Sequence, residues 1–185
     1  MWLLIFESEN LWTKAPLNCL EIGSWQGLSA LFLLTQLPLA NLICVDTWGE
    51  KGSAENGQRT DLASNALSTF KKNLAAHSAK CNAFQGTSDH YFANRHVETR
   101  FDFIYIDGSH RAEQVLKDAV NSFSSLRRDG IMIFDDLGWK QRRHVLGNPA
   151  AGIIAFLNLH QGSFKVIACT SKQLAIKKTK TVSTT

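Results

Sequence analysis

Four apolar runs in this chain close, one after another, on an acid or an acid-bearing glycine turn. They end at Glu21-Ile22-Gly23, at Asp46, at Asp107 and at Asp135-Asp136. Segments with helical apolar spacing lie between them. Strands that alternate with helices build a mostly parallel sheet covered on both faces. The near-continuous apolar stretches 103–106 and 131–134 fit strands buried on both sides. In such sheets the ligand lies beyond the carboxyl ends of the strands. The acids that close the four runs are therefore the first candidates for function.

Further elements follow from periodicity and punctuation. Strands are expected at 18–23, 42–45, 82–85, 101–106 and 131–134, with 164–168 and 174–176 as a closing antiparallel pair. Helices are expected from Gly27 to Gln36, closed by Pro38, and over 62–76, 112–125 and 150–159. Arg128-Asp129-Gly130 reads as a turn, and 47–63 as a long polar loop carrying Gly49, Gly52 and Gly57. The predicted architecture is an α/β, doubly wound, Rossmann-like sheet of seven strands, mostly parallel, with an antiparallel strand near the C-terminus.

A length of 185 residues suits one domain, taken as 1–178, with 179–185 a flexible polar tail. Hydrophobic residues make up 44% and charged residues 19%, an ordinary globular balance. The net charge of +4 is spread over the C-terminal lysines and the Arg127-Arg128 and Arg142-Arg143 pairs. It lacks the concentrated basic face of a nucleic-acid binder, so no nucleic-acid partner is expected. Cys19, Cys44, Cys81 and Cys169 show no CxxC pairing, which fits reduced thiols and a cytoplasmic location. The apolar start, Met1 to Phe6, is too short for a signal peptide or a membrane span. Residues 1–16 read instead as a lid or as an interface in a homodimer, because Trp2, Leu3, Leu4, Phe6, Leu11 and Trp12 offer much apolar surface.

The segment Glu21 to Gly27 joins a strand to a helix. Gly23 permits a tight turn and Gly27 a close backbone approach. A carboxylate at Asp46 suits a ribose diol. Ser24 and Trp25 stand where a dinucleotide fold wants bare glycine, which disfavours a pyrophosphate ligand. Two readings that share the architecture are an NAD-type oxidoreductase and a non-catalytic nucleotide-binding module. A purely structural glycine turn is the plainest alternative.

At the other end, Asp107-Gly108-Ser109-His110 follows one strand and Asp135-Asp136 follows the next. Neighbouring strand tips lie about 5 Å apart, so these carboxylates can converge on one point. Clustered anions call for a cation, and an oxygen-only donor set suits Mg²⁺ or a similar ion. Asp107, Asp135 and Asp136 are therefore the expected ligands of a divalent metal, and His110 the expected general base. Each also has a plainer role open to it, as a helix cap, a loop acid or a polar turn residue.

Glu-Ile-Gly-Ser-x-x-Gly, the strand-terminal Asp46, and Tyr105-Ile-Asp-Gly-Ser-His110 together resemble the class I S-adenosylmethionine-dependent methyltransferases, especially the macrocin-type sugar O-methyltransferases of methyltransferase family 24. The likeness runs from Leu17 to Lys178. It implies that Gly23 and Ser24 face the methionine part of the cofactor and Asp46 the ribose. Thr47 and Trp48 would lie near the adenosine, and Gly86, Thr87 and Ser88 near the adenine. Glu21, Gly27, Ser29 and Asp107 complete the expected cofactor-facing set. Trp48 serves equally well as a packing residue. The implied reaction moves a methyl group from S-adenosylmethionine to a hydroxyl of a small molecule or glycosyl group.

Overall fold

The computed structural model describes residues 1–14, 16–49, 60–139 and 144–179. Residues 50–59 of the expected loop, Arg142 and Arg143, and residues 180–185 of the expected tail lie outside the described residues.

Seven strands form one sheet: β1 (Leu17–Ile22), β2 (Ala40–Asp46), β3 (Cys81–Gln85), β4 (Phe101–Ile106), β5 (Leu126–Phe134), β6 (Phe164–Cys169) and β7 (Leu174–Lys178). Their order across the sheet is β3-β2-β1-β4-β5-β7-β6. Strands β1 to β5 run parallel. Strand β7 enters antiparallel between β5 and β6. This is the doubly wound sheet with one reversed strand that the sequence predicts.

Among the described residues six α-helices cover the sheet: α1 (Trp2–Ser8), α2 (Leu28–Gln36), α3 (Thr60–Asn73), α4 (Ser88–Asn94), α5 (Ala112–Ser125) and α6 (Pro149–Leu159). One apolar layer joins α1, α2 and α3 to the sheet through Phe6, Leu33, Leu34, Phe70, Phe103 and Ile133. The opposite layer joins α4, α5 and α6 through Tyr91, Val115, Phe123, Ile104, Met132 and Phe156. The alternation of the strands supplies both layers: Phe103 and Tyr105 of β4 face one side, Ile104 and Ile106 the other. In α5, Val115, Ala119, Ser122 and Phe123 are buried at helical spacing.

Three differences from the sequence expectation have clear causes. The N-terminal run is the helix α1. It lies on the sheet face, with Trp2 against Tyr105 at a ring separation of 4.7 Å and Phe6 against Phe103 at 5.8 Å. Helix α4 was not expected from the sequence; Thr87 caps it by accepting from the His90 backbone N–H. The turn expected at 128–130 is absorbed into β5, where pairing with β4 jumps from Phe101↔Leu126 to Phe103↔Ile131 and Asp129 adopts a left-handed φ of 62°. Among the described residues no helix is long and apolar enough to cross a membrane.

Candidate active site

Sheet register decides whether the strand-terminal acids meet. Ile22 pairs with Val45 on one side and with Ile106 on the other, and Ile106 pairs with Phe134. Gly23, Asp46, Asp107 and Asp135 are each the next residue or the last residue of those strands. They stand side by side along one rim. The ladder continues into the loops: Gly23 N–H donates to the Val45 carbonyl, Asp107 N–H to Ile22 and Asp135 N–H to Ile106, each at 2.8–2.9 Å.

Gly23 is fixed by sterics. Its φ is 87°, and a Cβ there would stand 2.0 Å from the Asp107 carbonyl oxygen. The turn that follows is clasped by Asp46. One carboxylate oxygen accepts from the backbone N–H of Ser24 and Trp25 at 2.9 and 2.8 Å, and the other from Trp48 N–H at 2.7 Å. Trp25 and Trp48 both take left-handed φ values, 44° and 45°, a costly conformation that the Asp46 bonds help to hold. The Trp48 indole N–H donates to the Trp25 carbonyl at 2.6 Å, and its ring lies 4.9 Å from Phe70. Trp48 is buried and packs on Phe70.

Glu21, one of the residues expected to face the cofactor, is buried. Its carboxyl is buried under the turn, where it meets Ser24, Ser29 and the Cys44 thiol. Burial pushes it above the usual carboxylate range, and those side-chain bonds offset part of the effect. Glu21 and Ser29 thus support the turn from below. At the neighbouring tip, Gly86 N–H donates to the Asp46 carbonyl at 2.9 Å, and Thr87 and Ser88 open α4. Gln114 of α5 reaches across to Ser88, Asp89 and Asp118 at 3.0–3.2 Å, bracing that helix start.

At the reacting end, the Tyr105 hydroxyl stands between two carboxylates. It bonds Asp135 and lies 3.2 Å from Asp107. Asp135 also accepts from the Gln173 side-chain N–H at 2.9 Å and from the Asp136 backbone N–H at 2.7 Å. Gln173 in turn accepts from the Trp2 indole at 3.2 Å, which ties α1 to the rim. Asp136, at φ 56°, turns its carboxylate to His110 Nε2 at 2.8 Å. The His110 ring stacks on Trp139 with centroids 4.4 Å apart.

Burial, and then the charges of Asp135 and Asp136, push Asp107 up to about 8. Asp107 therefore holds its proton at neutral pH. The three acids do share this rim, but they do not meet at one point as the sequence reading expected. Asp135 is held by Tyr105 and Gln173, and Asp136 by His110. Among the described residues no group of three or more His, Cys, Asp or Glu side chains is arranged to hold a metal ion. The donor chemistry suits a hard cation, whereas the side-chain positions are those of a hydrogen-bonded network.

Sequence reasoning did not single out Tyr105, Gln173, Trp139 or Gln114 as site residues. Tyr105 carried a usable signal, since two residues before Asp107 on a strand means the same face. Gln173 carried none short of knowing that β7 reverses and pairs Leu174 with Phe134.

Residues 20–137, more than half of the chain, match a family described as a methyltransferase domain, methyltransferase family 24. No curated protein matches the sequence significantly. Solved structures share the fold. The O-methyltransferase TomG from Streptomyces achromogenes, involved in tomaymycin synthesis and solved with S-adenosylmethionine, has 14% identity and a TM-score of 0.66, covering 96% of this chain and 78% of its own. An O-methyltransferase from Bacillus cereus, in complex with S-adenosylhomocysteine, has 15% identity and a TM-score of 0.66, covering 96% and 78%. The mycinamycin-pathway methyltransferase MycE, solved with Mg, S-adenosylhomocysteine and mycinamycin VI, has 13% identity and a TM-score of 0.63, covering 98% of this chain and 50% of its own.

Proposed function

Because the chain belongs to the methyltransferase-domain family 24, we propose that it transfers a methyl group from S-adenosylmethionine to a hydroxyl of a small molecule or glycosyl acceptor. One observation carries this reading: Gly23, Asp46, Asp107 and Asp135 stand in register along a single rim, beside a His110 oriented by Asp136. The relatives solved with S-adenosylmethionine or S-adenosylhomocysteine support the choice of cofactor.

In this reading the glycine turn takes the methionine part of the cofactor. Asp46 spends three acceptor positions on backbone N–H groups, and a carboxylate has roughly four, so one remains for a ribose hydroxyl. Gly86, Thr87 and Ser88 border the adenine. The acceptor oxygen attacks the sulfonium methyl as the carbon–sulfur bond breaks, and its proton goes to the His110 imidazole. Asp136 holds that ring and stabilises its charged form, while Trp139 covers one face. Alignment is the chief catalytic contribution of the site.

The proposal extends to a divalent cation, Mg²⁺ by the oxygen-only donor set; Asp107, Asp135 and Asp136 would hold it only after turning away from Tyr105, Gln173 and His110. Bound there, it would lower the pKa of the acceptor hydroxyl. The gathering of Asp107, Asp135 and Asp136 at neighbouring strand tips supports it. The four free cysteines support a reducing, cytoplasmic setting.

Titration calorimetry with S-adenosylhomocysteine and with NAD tests the cofactor: the first binds and the second does not. Methyl transfer from labelled S-adenosylmethionine to a panel of hydroxylated small molecules tests the reaction. Asp136→Ala is expected to lower that turnover at least about 100-fold and to leave S-adenosylhomocysteine affinity within about threefold. Turnover indifferent to both a chelator and Asp136→Ala would remove the metal and the base orientation together.

A further inference from the structure

Two cysteines lie next to each other beneath the cofactor turn. Cys44 of β2 and Cys81 of β3 have their sulfur atoms 3.7 Å apart. Cys44 pairs with Ala83 and Cys81 with Leu42, so the two thiols are diagonal neighbours on one face of adjacent strands. Diagonal positions stand roughly 7–8 Å apart at the backbone, at the outer limit for a disulfide. Closing the bond therefore requires β3 to slide along β2. Among the described residues β3 ends the sheet on its side and pairs with β2 alone, so a shift along β2 breaks no second ladder.

The two thiols differ in access and in role. Cys44 is fully buried, while Cys81 is half-buried. Cys81 borders a cavity of about 570 Å³ at the sheet edge opposite the acidic rim, which Lys80 and Arg100 also line. Cys44 has one S–H proton and commits it to Glu21, so in the contact between the two thiols Cys81 is the donor. The thiolate is the reactive form of cysteine, and cationic surroundings favour it. On its other side Cys44 donates to Glu21 at 3.5 Å, and Glu21 lies on β1 two residues before Gly23 of the turn.

We propose that Cys81 and Cys44 form a hydroperoxide-responsive thiol pair, whose oxidation to a disulfide weakens cofactor binding through Glu21. The Cys81 thiolate attacks the peroxide, breaking the O–O bond, and with one proton yields Cys81 sulfenic acid and an alcohol or water. The Cys44 thiol then attacks that sulfur: the S–S bond forms, the S–O bond breaks, and water leaves with the Cys44 proton. The two sulfurs lose two electrons to the peroxide. Glu21 thereby loses its Cys44 donor in a buried setting, where an unmet hydrogen bond is costly. The slide of β3 acts at the same place, because Asp46 and Gln85 are paired at the strand tips. The effect on the cofactor rests on the function proposed above, whereas formation of the bond does not.

The test treats the reduced full-length chain with hydrogen peroxide, maps the cysteine-containing peptides by mass, and measures S-adenosylhomocysteine affinity by calorimetry before and after. The expected result is a linked Cys44–Cys81 peptide and an affinity about tenfold weaker, restored by a dithiol. Cys81→Ser is expected to show neither change, and in Cys44→Ala a dione probe should label Cys81 as the sulfenic acid. The proposal is overturned if Cys44 and Cys81 both stay alkylatable after peroxide, or if the link forms with affinity unaltered. A reduced chain that binds no S-adenosylhomocysteine would instead remove the methyltransferase reading, with the peptide map still deciding the thiol pair.

Discussion

Asp118 shows how a residue outside the reacting end can set the pH response of the whole chain. It is buried in α5, and its carboxyl is pushed up to about 6 by that burial, with bonds from Ser88 and Gln114 pulling the other way. The folded chain thus holds the Asp118 proton more tightly than the unfolded chain does. Its contribution to stability is complete below about pH 4 and is lost as pH rises towards 6. Asp118→Asn does not titrate. Relative to the parent it should gain on the order of 2 kcal/mol between pH 4 and pH 7, read as a rising difference in Tm across that range. A constant difference would mean that the carboxyl is ionised throughout. Single residues elsewhere behave in the opposite sense: Lys178 is buried yet well served, donating to the Phe123 and Leu126 carbonyls at 2.7 Å each and thereby closing the end of α5.

Among the elements, α1 is short but docked on the sheet by large side chains. Phe6 is fully buried against Phe103, and Trp2 reaches both Tyr105 and Gln173. Phe6→Ala should cost about 3–5 kcal/mol, seen as a lower midpoint in urea. A loss under 1 kcal/mol would show that α1 sits loosely on the sheet. This element also marks what the sequence could and could not disclose. The parallel strands were legible because continuous apolar runs ending in acids have few other uses. The alignment of Asp46, Asp107 and Asp135 followed from the same runs. Helix α1 read only as apolar, since seven residues give too few turns for a period. Helix α4 was hidden for the same reason, with Thr87 as its one capping signal. The network of Tyr105, Gln173 and Trp2 was illegible because it joins residues more than a hundred positions apart through a reversed strand.

For the whole molecule, α1, the turn after it and α2 leave Leu3, Leu4, Trp12, Leu28 and Phe32 exposed, with Leu4 and Leu28 each at 70%. Trp2 and Phe32 touch at 5.8 Å, so the two helices present one continuous surface. A homodimer through that surface remains our proposal. Light scattering at micromolar concentration should give twice the chain mass, and Leu4→Asp with Leu28→Asp should halve it without lowering Tm by more than a few degrees; a monomer in the parent chain would end the idea. The reversed strand has a consequence of its own. Because β7 runs against its neighbours, the hairpin joining it to β6 rises at the acidic rim, where Gln173 bonds Asp135 and the Lys172 carbonyl accepts from Leu137. A Cβ at Gly138 would stand 2.2 Å from the Ser171 carbonyl oxygen, so hairpin and rim are moulded to each other. Growth or trimming of those few hairpin residues would reshape the doorway through which an acceptor arrives, while every parallel strand kept its place.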